Sequence, residues 1–231
     1  MRPEAVPTAR FRARTHRLIA SRWPTIGVFD TAASAADLEA ALLLESLTND
    51  RVSQTLARLD RLDRAEWVTG QPGATLVMAA FCHPAPGGGR FSTEALGAWY
   101  CAREIETAIA ETVHHHTARL AHSASGFRHV IQMRELVCAV DAVFSDLRGL
   151  REACPELYDP VSYAASQPFG EALRGRSANG AIYRSVRRTG GTNVVVYRPS
   201  LLPPVVQGDH FDYRWTGGPT PTVVKLTGVG A

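Results

Sequence analysis

The sequence predicts an α+β domain. Helical periodicities and short apolar runs follow one another without a regular βαβ alternation, which disfavours a doubly wound parallel sheet. Neither G-x-G-x-x-G nor G-x-x-x-x-G-K-[ST] occurs, so the usual nucleotide-binding motifs give no support for a Rossmann or P-loop unit. The 231 residues, 45% hydrophobic and 20% charged, have the size and composition of one compact globular domain spanning 1–231.

The elements follow in order. Residues 1–16 combine prolines with Arg10, Arg12 and Arg14, show no apolar period, and are expected to be a loosely tethered basic arm. Ser34-Ala-Ala-Asp-Leu opens a capping-box-like helix start that continues through Leu38, Ala41, Leu42 and Glu45 toward Leu47, and a second helix is expected over Arg51–Leu62. Together they are expected to form a helical subdomain. After the turn signal Gly70-Gln71-Pro72-Gly73, the run Thr75–Phe81 reads as a buried strand feeding the loop His83–Gly89. A short strand is expected over 98–102 and a helix over Glu104–Leu120. On that helix Ile105, Ala108, Ile109, Thr112, Val113 and His116 form the apolar face, with Thr107, Ala110, Glu111 and His114 opposite. A third helix is expected over Gln132–Leu147, and short strands at 181–185, 193–198 and 222–226.

The longest apolar stretches fall well short of the roughly 20 residues that cross a bilayer, and the first thirty residues hold no apolar h-region. No membrane partner is expected, and the reading is a cytoplasmic protein. Cys82, Cys101, Cys138 and Cys154 are widely spaced and form no C-x-x-C pair, consistent with free thiols in a reducing compartment. Net charge is +3, carried almost wholly by arginine because Lys225 is the only lysine. A dedicated nucleic-acid binder is normally more basic and more clustered, so no direct nucleic-acid partner is expected.

Several residues could do chemistry. In Gly87-Gly88-Gly89-Arg90-Phe91-Ser92, three glycines let backbone approach a ligand and an arginine follows, a fork suited to phosphate. Tyr100 ends the next strand, and Glu111 lies in the second turn of the helix after it. In Asn179–Arg187, Ser185 ends a short strand without a nucleophile elbow, which makes it a hydrogen-bonding group rather than an acylated nucleophile. His114, His115 and His116 are consecutive on a helix and point about 100° apart, so they cannot all face one ion, and no metal is expected. A solvated arginine, an exposed glutamate or a structural serine would each look the same in isolation.

Taken in order, the segments His16–Pro24, Gly88–Ser92, Tyr100 with Glu106–Glu111, and Asn179–Arg187 continuing through Gly190-Gly191 to Val194–Pro199 resemble the RES family, named for its arginine, glutamate and serine. Arg17, Glu111 and Ser185 match the naming residues, and Arg90 and Tyr100 match the arginine and tyrosine that accompany them. Arg22 competes with Arg17, and Ser92 stands where shorter relatives often have asparagine. The helical segment over 31–70 resembles the insertion of longer members, which shorter members lack.

The resemblance implies a compact fold similar to the ADP-ribosyltransferase (diphtheria-toxin-like) toxins with a central NAD cleft. It also implies a toxin of a type II toxin–antitoxin system, with a small Xre-like helix-turn-helix antitoxin covering the cleft. NAD would be the substrate, cleaved at the nicotinamide–ribose bond by water or phosphate; an alternative is ADP-ribose transfer to a protein acceptor. From another class, a nucleic-acid-binding or ribonuclease-type toxin is weighed and disfavoured by the mild charge. Glu111, Arg90 and Tyr100 are then expected to be catalytic, and Arg17, Ser185, Phe91 and Asn179 to bind substrate.

Overall fold

A computed structural model of the chain describes residues 3–21, 27–46 and 50–226, the first three of the last span by backbone only. Strand β1 (Thr8–Ala20) leads into α1 (Val28–Thr31), α2 (Ala35–Ser46), α3 (Asp50–Leu59) and α4 (Ala74–Cys82). Then come β2 (Trp99–Ala102), α5 (Ile105–Ala121), β3 (Arg128–Asp146), α6 (Ser166–Gly175), β4 (Gly180–Arg184), β5 (Thr192–Val196), β6 (Val206–Thr216) and β7 (Thr222–Leu226). The seven strands run in the order β1-β2-β5-β4-β3-β6-β7, and β1 also pairs with β3. That extra pairing closes β1, β2, β5, β4 and β3 into a ring. Among the described residues only β3 and β4 pair in parallel, at Ser145–Asp146 against Ala181–Ile182.

The expected basic arm is instead the start of β1. Its register with β3 runs unbroken from Thr8↔Ser145 to Ala20↔Met133. Arg10, Arg12 and Arg14 project to the outer face, where Asp141 lies 2.9 Å from Arg10 and 3.6 Å from Arg12, while Phe11 and Thr15, on the alternate positions, are buried. An Arg-x-Arg-x-Arg text is therefore the polar half of a period-2 pattern whose apolar half is short and mixed.

The helix expected over Gln132–Leu147 is also corrected: those residues belong to β3. The strand pairs with β1 on one side and β6 on the other. It buries residues on both faces, among them Met133, Leu136, Val137, Cys138, Val140 and Phe144. A strand covered on both faces loses the alternation that marks strands in sequence, and non-local pairing overrides local propensity.

The converse holds at Thr75–Phe81, expected as a strand and found as helix α4. A short continuous apolar run cannot be assigned by periodicity. Here Ala74, Val77, Met78, Ala80, Phe81 and Cys82 are all buried, so no polar face exposes the helical period. Helices α2 and α3 stand where helices were expected. The Ser34 hydroxyl accepts from the Asp37 N–H at 3.1 Å, as the capping-box text implies. Leu38, Leu42 and Leu59 join Met78, Phe81, Trp99 and Val194 in one core cluster; α2 packs on α3, α3 on α4, and α4 against β2 of the sheet. Strand β6 carries no strong text of its own and was not expected.

The start of α4 is held by a residue from far upstream. Asp30 accepts from the N–H groups of Gly73 (2.7 Å), Thr75 (3.1 Å) and Gly27 (3.2 Å). Burial alone would raise its pKa, but hydrogen bonds from Thr75, Gly27 and Gly73 outweigh it and hold the carboxyl below the usual range. A lowered folded-state pKa adds stability that is complete above the ordinary carboxylate value, about 4. It is lost as pH falls through the lower folded value. Urea unfolding between pH 5 and pH 2 is expected to show Asp30→Asn losing less stability with acid than the parent; equal slopes would refute this.

Candidate active site

The pairing between β1 and β2 is recorded at His16↔Ala102 alone, and beyond it the two strands part. Across that split the Arg17 Nη1 donates to the Tyr100 carbonyl at 2.9 Å, and the guanidinium lies over the Trp99 ring, 4.9 Å from its centroid. Burial lowers the Arg17 pKa from the usual arginine value. A cleft of about 800 Å³ opens here, lined by Arg17, the loop 83–90, Tyr100, Glu111, Tyr183 and Asn193 among others. That is within the range of natural ligand pockets.

The glycine loop is built around Tyr100. Gly88 has φ +76°, and a Cβ there would come within 2.4 Å of the Ser92 carbonyl oxygen; a Cβ on Gly89 would meet the Tyr100 ring at 2.7 Å. The Tyr100 hydroxyl accepts from the Phe91 N–H at 2.9 Å and shares a hydrogen bond with the Ser92 hydroxyl at 3.0 Å. Burial pushes its pKa up to about 12, so it stays a neutral phenol. From the other side Gln167 donates to the carbonyl oxygens of Gly87 (2.6 Å) and Gly89 (3.1 Å).

Arg90 is buried to 7% exposure and still faces the cleft. Its Nη1 donates to the carbonyl oxygens of Leu157 (3.1 Å) and Asp159 (2.8 Å), and Tyr163 stacks on the guanidinium at 4.8 Å. The Asp159 carboxylate turns instead to the N–H groups of Val161 and Ser162. Among the described residues neither Arg17 nor Arg90 forms a salt bridge, so the cleft holds two guanidinium charges without a carboxylate partner.

Glu111 is the carboxylate of the cleft, and the sheet holds it by one oxygen. Its Oε1 accepts from the Ser185 hydroxyl (2.7 Å) and the Asn193 side-chain amide (2.6 Å), and among the described residues no hydrogen bond occupies Oε2. Ser185 in turn accepts from the N–H groups of Arg187 and Arg188, both at 3.0 Å, which fixes the turn after β4. Its oxygen is thus fully used in positioning Glu111.

The structure therefore brings Arg17, Arg90, Tyr100 and Glu111 to one cleft, with Ser185 behind Glu111. Two expected binding residues are elsewhere. Phe91 is fully buried against Tyr183 in the second core cluster, and only its backbone serves the loop. Asn179 donates to the Val143 carbonyl at 3.0 Å and is not among the cleft residues. The asparagine at the site is Asn193, buried at 3% and missed by sequence reading. The available signal was a polar residue opening the otherwise apolar run Thr192–Val196, since a buried amide requires partners.

The faces of α5 are also corrected. Ala108, Glu111, Thr112, His115, His116 and Arg119 line the cleft in one stripe, whereas Thr107, assigned to the ligand side, is buried against the turn at Gly191. The difference is a rotation of about one residue, within which apolar periodicity cannot tell a core from a cleft. His114 stacks edge-on to His115 at 5.4 Å. Among the described residues no group of three His, Cys, Asp or Glu is placed to hold a metal ion. Arg22, the rival of Arg17, lies outside the described residues.

A closed ring of short strands, crossed by one helix that delivers a sheet-anchored glutamate to an arginine-lined cleft, defines a mixed α/β ligand-cleft protein. The model of the RES domain matches residues 55–216, more than half of the chain, and the chain belongs to the RES-domain family. The match begins within α3, so Arg17 and β1 lie outside it. Among curated proteins the chain is similar to the uncharacterized protein y4oC of Sinorhizobium fredii, 27% identical over 212 residues covering 87% of this chain and 83% of that protein. Among solved structures it is similar to the M. tuberculosis MbcT–MbcA toxin–antitoxin complex, with 15% identity, 92% of this chain and 90% of that chain covered, and a TM-score of 0.49.

Proposed function

We propose that this protein is an NAD-consuming enzyme that breaks the bond between nicotinamide and ribose, with water or inorganic phosphate as acceptor. The observation that carries the reading is Glu111, tethered through Oε1 and free at Oε2, in a cleft with two guanidinium groups that lack a carboxylate partner. Cleavage of an N-glycosidic bond builds positive charge on the ribose while the pyrophosphate must be held still. Arg17 and Arg90 supply planar donors for the pyrophosphate. Glu111 Oε2 accepts from a ribose hydroxyl and its charge stabilises the developing cation. Because Ser185 and Asn193 hold it beforehand, little reorganisation is needed as that charge appears. Tyr100 shapes the wall through the glycine loop.

Family membership supports a toxin held in check by a small Xre-like antitoxin that covers the cleft, on a fold of the ADP-ribosyltransferase kind. Purified protein incubated with NAD labelled in the adenosine half tests the chemistry. Free nicotinamide with labelled ADP-ribose or its phosphate ester is expected. Label transferred to protein in a lysate would replace this reading with ADP-ribosyl transfer. No nicotinamide release under any condition would overturn both.

A further inference from the structure

His16 stands beside Arg17 on β1 but faces the other way, and it lines the same cleft from the α5 side. Its Nδ1 is hydrogen-bonded to Glu135 Oε1. Glu135 is 4% exposed, and its second oxygen accepts from the Asp209 N–H at 2.9 Å. This pair depends on a bulge. The register of β3 with β6 jumps from Arg134↔His210 to Leu136↔Gln207, so Gly208 and Asp209 face Glu135. A Cβ on Gly208 would lie 2.3 Å from Glu135 Oε2, so glycine is what admits the carboxylate. Bulges beside active sites commonly re-aim a side chain in this manner. Both carboxylate oxygens are engaged, His16 Nδ1 is fixed, and among the described residues no hydrogen bond occupies its Nε2.

The location follows from the sheet. His16 pairs with Ala102, and Ala102 pairs with Asn193, the residue that holds Glu111. His16 and Asn193 thus end a lateral row of three strands, about 10 Å apart from two strand spacings. The small side chain of Ala102 forms the floor between them. The charged and titratable groups around His16 are Glu135 on β3, Glu111, His115, His116 and Arg119 on α5, and Asp209 on β6, whose own carboxylate is paired with Lys225 of β7.

Resting on the NAD reading above, we propose that His16 Nε2, oriented by Glu135, takes the proton from the acceptor as it attacks the ribose carbon. The water oxygen forms the new bond to the anomeric carbon, and the bond to the pyridinium nitrogen breaks with its electron pair passing to nicotinamide. The water proton moves to His16 Nε2 and leaves to solvent. Glu135 and Gly208 are positioning residues; Glu111 stabilises the cation from the opposite end of the row.

His16→Asn tests this, since an amide nitrogen replaces the Nδ1 donor to Glu135 while the Nε2 acceptor is removed. In buffer, nicotinamide release by H16N is expected to fall about 10²–10⁴-fold at unchanged KM for NAD. Sodium azide, a nucleophile with no proton to lose, is expected to restore release as the glycosyl azide. H16N at the parental rate, or a folded H16N whose loss azide does not restore, would overturn the assignment while leaving the NAD reading standing. A parent protein that releases no nicotinamide, with or without azide, would overturn that reading and this assignment together. Should H16N fail to fold, Gly208→Ala takes its place: a rate loss restored by azide supports the pair, and a parental rate overturns it.

Discussion

Glu111→Gln is expected to lower nicotinamide release from NAD by about 10²–10³-fold, the usual scale for removing a preorganised electrostatic group, while leaving the melting temperature close to that of the parent. The two parts of this expectation rest on different oxygens. Oε1 is a structural acceptor for Ser185 and Asn193, and a glutamine carbonyl can keep that role. Oε2 carries the chemistry, and in glutamine it becomes an uncharged NH₂ that cannot stabilise a ribosyl cation. A loss confined to kcat is the signature of an interaction made only in the transition state. Release at the parental rate would remove Glu111 from the mechanism. Asn193→Ala is a useful companion because it should disorder the same carboxylate without touching its charge.

A large effect on stability is expected at Gly170, where α6 meets the loop that carries Arg90. A Cβ on Gly170 would fall 2.1 Å from the Phe91 carbonyl oxygen, which itself accepts from the Tyr197 hydroxyl at 3.0 Å. Backbone stands on both sides of the contact, so the added methyl can be relieved only by moving the helix or the loop. Gly170→Ala should cost about 1–3 kcal/mol, the usual range for overpacking, or roughly 2–12 °C in melting temperature for a chain of this size. Because Gln167 of α6 staples Gly87 and Gly89, the same shift should weaken NAD binding. An unchanged melting temperature would mean that the contact is not rigid.

These two residues show what kind of information a sequence holds. Glu111 was legible because the arginine, tyrosine and glutamate occur in order within one loop, strand and helix, where local periodicity places them. Gly170 was not, since nothing in Ser-Gln-Pro-Phe-Gly-Glu indicates that a carbonyl eighty residues upstream lies against it. His16 and Glu135 are separated by 119 positions, and their meeting depends on a bulge in a strand that reads locally as a helix. Phe91 and Asn179 were assigned to the ligand by proximity to motif residues. Proximity along a strand or loop does not say which side a residue faces: Phe91 turned into the core, and Asn179 turned to the Val143 carbonyl at a partly exposed edge.

By itself, the sequence determined the α+β class, helices α2 and α3 with the serine cap at Ser34, helix α5, the short strands β2, β4, β5 and β7, and the ordered residues that mark the family. Only the tertiary structure decided that Arg10, Arg12 and Arg14 edge a strand, that α4 is a helix and β3 a strand, and that Asn193 and Ser185 hold Glu111 between them. The physical reason is common to these cases. A segment buried on all sides shows no polar face, so its period is silent, and its conformation is set by non-local hydrogen bonds and packing whose partners lie far away in the chain.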